Sequence, residues 1–221
     1  MAQSVEHSPI EDPPTTATKF DPLKHFPEKQ DVPPKKILFL GDPSIGKTTF
    51  IQKYCEHVVN FFRCYGYNGP SLVFTQFLTF RQLDNEKQIQ IRLMDLPAGN
   101  SEECRKDQYP DVVDSIVVCF AVDNPTSFAN VWKIWLPEFQ KYYPDFSRFY
   151  LLGLRNDARR KILEENKTPV TSERGSQIHQ KYKFRGEYME CSVEENSKQA
   201  FDMMETLISD VLECKPFPAT D

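Results

Sequence analysis

No apolar run in these 221 residues approaches the roughly 20 that a membrane-spanning helix requires, so such a helix is excluded. The opening MAQSVEHSPIEDPP is acidic and polar where a secretory leader is basic and then apolar, so export is not expected and the default compartment is cytoplasmic. No C-x-x-C pair occurs among the six cysteines, and a chain of this size does not depend on disulfides, so free thiols are expected. Positive charge is also in short supply. Lys and Arg number 27 against 32 Asp and Glu, a net charge of −5, which disfavours nucleic acid as a partner because that binding needs cations on phosphates. Prolines cluster at Pro13-Pro14 and Pro33-Pro34, yet no two stand three apart, so the P-x-x-P element for adaptor docking is missing. The closing stretch Cys214-Lys215-Pro216-Phe217-Pro218-Ala219-Thr220-Asp221 contains neither a C-a-a-X box nor a polybasic segment. Prenylation is therefore not expected, and acylation of Cys214 alone would hold a membrane only marginally.

What is present fits one α/β domain with tails. Residues 1–34 are rich in Pro, Thr, Asp and Glu and too poor in apolar groups to offset their ordering entropy, which predicts a disordered extension. From Lys35 the texture changes. KKILFLG reads as a buried strand feeding a turn, QFLTF and IQIRLMD as the two strands of a hairpin, and SIVVCFAV and RFYLLGL as further strands, each followed by a helical stretch. Such alternation predicts a six-stranded, mostly parallel sheet with flanking helices over 35–213, and a short tail over 214–221. The last helix, about Asn196 to Leu212, places Ala200, Met203, Met204, Leu207, Ile208 and Val211 on one core-facing stripe.

The sharpest motif is Gly41-Asp42-Pro43-Ser44-Ile45-Gly46-Lys47-Thr48, a full G-x-x-x-x-G-K-[ST] between a strand and a helix. Its glycines let backbone N–H groups curl around a phosphate, the helix adds the positive end of its dipole, Lys47 reaches the outer phosphates, and the Thr48 hydroxyl suits Mg²⁺. Thr49 opens the helix beside them. The loop by itself does not separate ATP from GTP, or a hydrolase from a small-molecule kinase. A metal beside a triphosphate also needs a carboxylate at a neighbouring strand end, and Asp95 ends IQIRLMD.

Several further segments carry a resemblance. Gln108-Tyr109-Pro110-Asp111, then SIVVCFAVDNPTSFANV with its C-F-x-x-D-x-P-x-S-x-x-N pattern, Trp135-Leu136-Pro137-Glu138 and Tyr188-Met189-Glu190-Cys191-Ser192 together resemble the Rho family of small GTPases from about Lys35 to Glu213. The resemblance implies the P-loop NTPase fold of small GTPases, with a Rho-type helical insert at about 158–170. It implies Mg²⁺ and GTP or GDP as ligands. Asp157 would accept from the guanine base, Leu154 and Arg155 would flank it, and backbone N–H groups around Cys191, Ser192 and Val193 would read its carbonyl. It also implies a monomeric signalling switch that hydrolyses GTP and works through effector proteins, exchange factors and GTPase-activating proteins, reaching membranes only through partners or Cys214.

The chain departs from that pattern at informative places. Pro43 stands where the family has glycine; it fixes φ and offers no N–H. Leu154 replaces an Asn or Thr that could hydrogen-bond. In the D-x-x-G-like segment Asp95-Leu96-Pro97-Ala98-Gly99 the glycine falls one residue late, and the next residue is Asn100 rather than a glutamine. With Lys47, Gly99 and Asn100 form the expected catalytic set, and misplacing the amide that positions water predicts slow hydrolysis. Ser71 is the candidate switch ligand to the metal, with Tyr65 and Tyr67 as candidate covers for the nucleotide.

Overall fold

The computed structural model describes residues 33–57, 61–65, 72–82, 85–96, 101–106, 108–212 and 217–218. The expected disordered extension therefore lies outside the described residues, apart from Pro33 and Pro34 at its end. The strands are β1 (Lys35–Leu40), β2 (Phe61–Tyr65), β3 (Leu72–Gln82), β4 (Asn85–Asp95), β5 (Val112–Val113), β6 (Ser115–Ala121), β7 (Phe149–Leu154), β8 (Met189–Cys191) and β9 (Phe217–Pro218). The helices are α1 (Lys47–His57), α2 (Glu102–Lys106), α3 (Pro125–Asn130), α4 (Leu136–Tyr142), α5 (Ala158–Glu164), α6 (Ser172–Lys181) and α7 (Ser197–Leu212), and a π-helical turn (Val131–Trp135) joins α3 to α4.

The main sheet runs β2-β3-β4-β1-β6-β7-β8. The pairs β4–β1, β1–β6, β6–β7 and β7–β8 are parallel, whereas β2–β3 and β3–β4 are antiparallel. It has seven strands where six were expected. The extra one, Phe61–Tyr65, lies in an aromatic run with no apolar–polar alternation to betray it, and it exists because β3 offers it an edge. The expected QFLTF/IQIRLMD hairpin is present and longer at both ends, pairing Leu72 with Asp95 and Gln82 with Asn85. In the stretch expected to be a simple tail, Phe217–Pro218 pairs antiparallel with Val112–Val113 in a separate two-stranded sheet.

Strand geometry divides the core into two layers. In β1, Ile37 and Phe39 face one side and Leu38 and Leu40 the other, all four fully buried, because successive side chains alternate across a sheet. On the first side, Phe50, Ile51 and Tyr54 of α1 meet the α7 stripe of Ala200, Met203, Met204, Leu207, Ile208 and Val211, as the sequence predicts. On the other side Phe128, Val131, Trp135, Leu136 and Phe139 close over Val118 and Phe120. Each fully buried side chain of this size contributes about 1.5–3 kcal/mol. Helix starts are set locally: Asn124 Oδ1 accepts from the N–H groups of Thr126 and Ser127 at 3.1 Å, with Pro125 first in α3, and Asn196 Oδ1 accepts from Gln199 N–H at 3.0 Å. Among the described residues, no helix is long and apolar enough to cross a membrane.

Candidate nucleotide site

Because the central strands are parallel, their carboxyl ends converge on one edge, and the loops that leave them build a single cleft of about 300 Å³. Ser44 and Gly46 line it from the β1–α1 loop and Thr49 from the first turn of α1, Leu154, Arg155 and Asp157 from the end of β7, and Ser192, Val193 and Glu194 from the end of β8. Glu194 carries no motif and was not expected there.

Gly41 holds the loop against the sheet: a Cβ at this residue would come 2.4 Å from the Cys119 carbonyl oxygen, and its φ of +143° disfavours any side chain. Ile45 is 1% exposed and packs into the α1–α7 core, so it offers the cleft only backbone. Pro43 is exposed at the outer turn. Lys47 is 6% exposed, and its ammonium donates to the carbonyl oxygens of Gly41 (2.7 Å) and Asp42 (2.9 Å). Burial pulls its pKa below the ordinary lysine range, with Asp95 acting in the opposite sense. The Thr48 hydroxyl donates to Asp95 Oδ2, and Asp95 is 7% exposed. Burial pushes this carboxyl up, while the Thr48 hydrogen bond and Lys47 hold it down. A hydroxyl and a carboxylate side by side, next to a buried ammonium, form the oxygen-rich donor set that suits Mg²⁺ bound with a polyphosphate.

Asp42 behaves unlike its neighbours in the loop. Its carboxylate turns away from the cleft and accepts from Asn130 Nδ2 (2.7 Å) and Trp135 Nε1 (2.8 Å), which keeps a negative charge off the anion's seat. The π-helical turn aims Trp135 inward, 3% exposed. Arg105 of α2 lies 5.0 Å over the same indole and grips Glu138 with Nε (2.8 Å) and Nη2 (2.5 Å), while Tyr109 Oη donates to Glu138 at 2.9 Å. The phosphate loop is thus wired through α3 and α4 to the helix that follows the Gly99-Asn100 segment. The W-x-P-E residues gave no hint of this role in sequence.

At the base end, Leu154 is 1% exposed and presents only hydrocarbon. Cys191 is fully buried in the α1–α7 core, so only its backbone faces this region, and its carbonyl accepts from Asn156 N–H at 3.3 Å. Ser192 Oγ accepts from Glu195 N–H at 3.0 Å and rigidifies the loop that carries Val193. Asp157 immediately precedes α5, the exposed helix in the place of the expected insert. Arg159 of that helix bonds the Val170 carbonyl and both oxygens of Glu190, at 2.8–3.0 Å for the shorter contacts, so the insert is tied to the strand behind the base loop. Gly99, Asn100, Ser71, Tyr67 and Cys214 lie outside the described residues, as does the side chain of Tyr65.

A sequence model of the Ras family matches residues 36–213. The chain is 32% identical over 169 residues to the Rho-related protein racI of Dictyostelium discoideum, across 71% of this chain and 77% of that one. It belongs to the Rho family of small GTPases. It is also 35% identical over 128 residues to a GTP-binding RHO-like protein of Candida albicans (strain WO-1), an alignment that takes in 55% of this GTPase and spans only 33% of the Candida protein's length. Small GTPases of this kind generally bind GTP and GDP with Mg²⁺ and interact with effectors, exchange factors and GTPase-activating proteins. Their fold is the one seen here, a mostly parallel sheet with helices on both faces.

Proposed function

We propose that this GTPase is a guanine-nucleotide switch with slowed hydrolysis, acting through effector proteins on the actin cytoskeleton, cell polarity or membrane traffic. The observation that carries the reading is the single cleft that joins the phosphate loop at Ser44, Gly46 and Thr49 to Asp157 and the Ser192–Val193 loop. A Mg²⁺ ion held there would supply a positive centre that neutralises phosphate charge. Lys47 leaves the Gly41 and Asp42 carbonyls for the outer phosphates, and its buried setting strengthens that contact. Thr48 and Asp95 hold the metal side, with Ser71 as the third candidate ligand. Asp157 accepts from the guanine N1 and exocyclic amine, Arg155 covers the ring, and the Ser192 and Val193 amides face its carbonyl. Gly99 and Asn100 are the catalytic candidates beside Lys47.

Slow turnover follows from Pro43 and Asn100. The proline brings no N–H and fixed backbone to the loop, and Asn100 is a methylene short of the glutamine that positions water. The same two residues favour a second reading, a binding module that stays GTP-loaded. The protein is expected to be a cytoplasmic monomer that reaches membranes through partners or Cys214. The deciding experiment purifies the full chain natively with Mg²⁺, denatures it and identifies the released nucleotide by ion-exchange chromatography. Stoichiometric GDP supports a hydrolysing switch, mainly GTP supports the binding module, and an adenine nucleotide overturns both.

A further inference from the structure

The C-F-x-x-D stretch carries the chain two residues past the end of β6 to an acid, Asp123, that does not line the nucleotide cleft, yet it is committed to a residue that does. Parallel pairing sets Ala121 beside Leu154, and Val122 N–H donates to the Leu154 carbonyl at 2.8 Å, so Asp123 and Arg155 leave neighbouring strand ends together. Arg155 Nη2 lies 2.7 Å from Asp123 Oδ2. The other carboxylate oxygen, Oδ1, is buried without a hydrogen-bond partner among the described residues. Arg155 adopts a left-handed backbone, φ 61°, which is unfavourable for a side chain of its kind. Its stem passes Gly46 of the phosphate loop, where a glycine Cβ would sit 3.9 Å from Arg155 Cγ.

Unfavourable backbone, an under-satisfied carboxylate and a half-exposed ion pair contribute little to holding the fold together, and features of this kind collect where a site is being arranged. Leu154 removes a hydrogen bond that the family's Asn or Thr would supply at this end of the cleft. We propose that Asp123 is a positioning residue of the base site: its carboxylate holds the Arg155 guanidinium across the mouth of the pocket, where it stacks on the purine and slows nucleotide release. The inference rests on the guanine-nucleotide reading above. It adds that retention at the base end depends on a clamped cation as well as on Asp157.

The test is the release rate of fluorescently labelled GDP and IDP from the full-length protein with Mg²⁺, for wild type, Asp123→Asn, Arg155→Ala and the double variant. Each single change is expected to speed release about three- to tenfold, in line with a cation on an aromatic face. The double variant should release no faster than Arg155→Ala alone, since both changes remove one interaction. GDP and IDP should speed up by the same factor, because stacking does not read the exocyclic amine. Arg155→Lys, which keeps the cation, should recover part of the retention. Unchanged release in Asp123→Asn, or effects that multiply in the double variant, would overturn the clamp while leaving the nucleotide reading intact. A wild-type protein that holds neither labelled nucleotide would overturn the nucleotide reading and the clamp with it. A lower melting temperature of nucleotide-free Asp123→Asn with wild-type release would assign the acid to the fold and also overturn the clamp.

Discussion

The two ends of the cleft are backed by ion pairs of opposite character. Behind the phosphate loop, Arg105 and Glu138 have side chains 7% and 3% exposed; at the base end, the Arg155 side chain is 51% exposed and that of Asp123 13%. A buried pair that loses one member leaves a charge with no water and no partner, whereas an exposed pair is screened and its loss is nearly neutral to the fold. The phosphate end is therefore part of the folded scaffold, continuous from Asp42 through Trp135 to Glu138. At the base end the Ser192 turn and the Arg159–Glu190 pair fix the backbone, and it is the Arg155 side chain that depends on a half-exposed ion pair. The division separates a scaffolded phosphate end from a base end whose Arg155 side chain stays exposed.

Four changes probe the contrast. The largest effect is expected from Glu138→Ala, which strands Arg105 and should cost about 3–5 kcal/mol of folding stability in urea titration; the equivalent loss in Asp123→Ala should stay below about 1 kcal/mol. Equal losses would break the comparison. Next comes Asp157→Asn, which should weaken GDP by about 1.5–3 kcal/mol in calorimetry, the scale of a hydrogen bond to a charged group. It should leave IDP less affected and the phosphate contacts intact. The smallest change in stability is expected from Asp95→Asn. Burial raises the Asp95 pKa in the empty domain, so the folded state holds this proton more tightly than the unfolded chain. Its contribution to stability is full below the unfolded pKa and is lost as pH rises through the folded one. Melting of the nucleotide-free variant across the acidic range should therefore lose that pH slope, and the variant should be no less stable than wild type at neutral pH. Its Mg²⁺-dependent retention of nucleotide should drop sharply. A destabilised variant with unchanged metal dependence would move Asp95 from the site to the fold.

Much of this was legible in the residues. The strand–loop–helix around Gly41–Thr48 followed from a motif whose every position has a backbone or charge reason, and the α7 stripe followed from helical periodicity. The strand-end position of Asp95 followed from the apolar alternation before it. The β2 strand was not legible, because an edge strand is defined by the neighbour that pairs with it and Phe61–Tyr65 carries no alternating pattern of its own. Asp42 looked like a contributor to the anion's seat, and only packing turned its carboxylate toward Asn130 and Trp135, which follow it by 88 and 93 residues. Cys191 and Ile45 were legible as site neighbours, but their side chains went to the core because strand alternation and the α1–α7 layer claimed them.

The sequence by itself determined the fold class, the phosphate loop and the family, since each rests on local residue order: turns, periodicity and motif spacing are settled within a few residues. Tertiary structure alone decided which charges meet. Arg105 finds Glu138, and Arg155 finds Asp123 from 32 residues away. Electrostatic and hydrogen-bond partners are chosen by distance in space, and parallel strand ends bring together residues whose separation along the chain carries no trace of it.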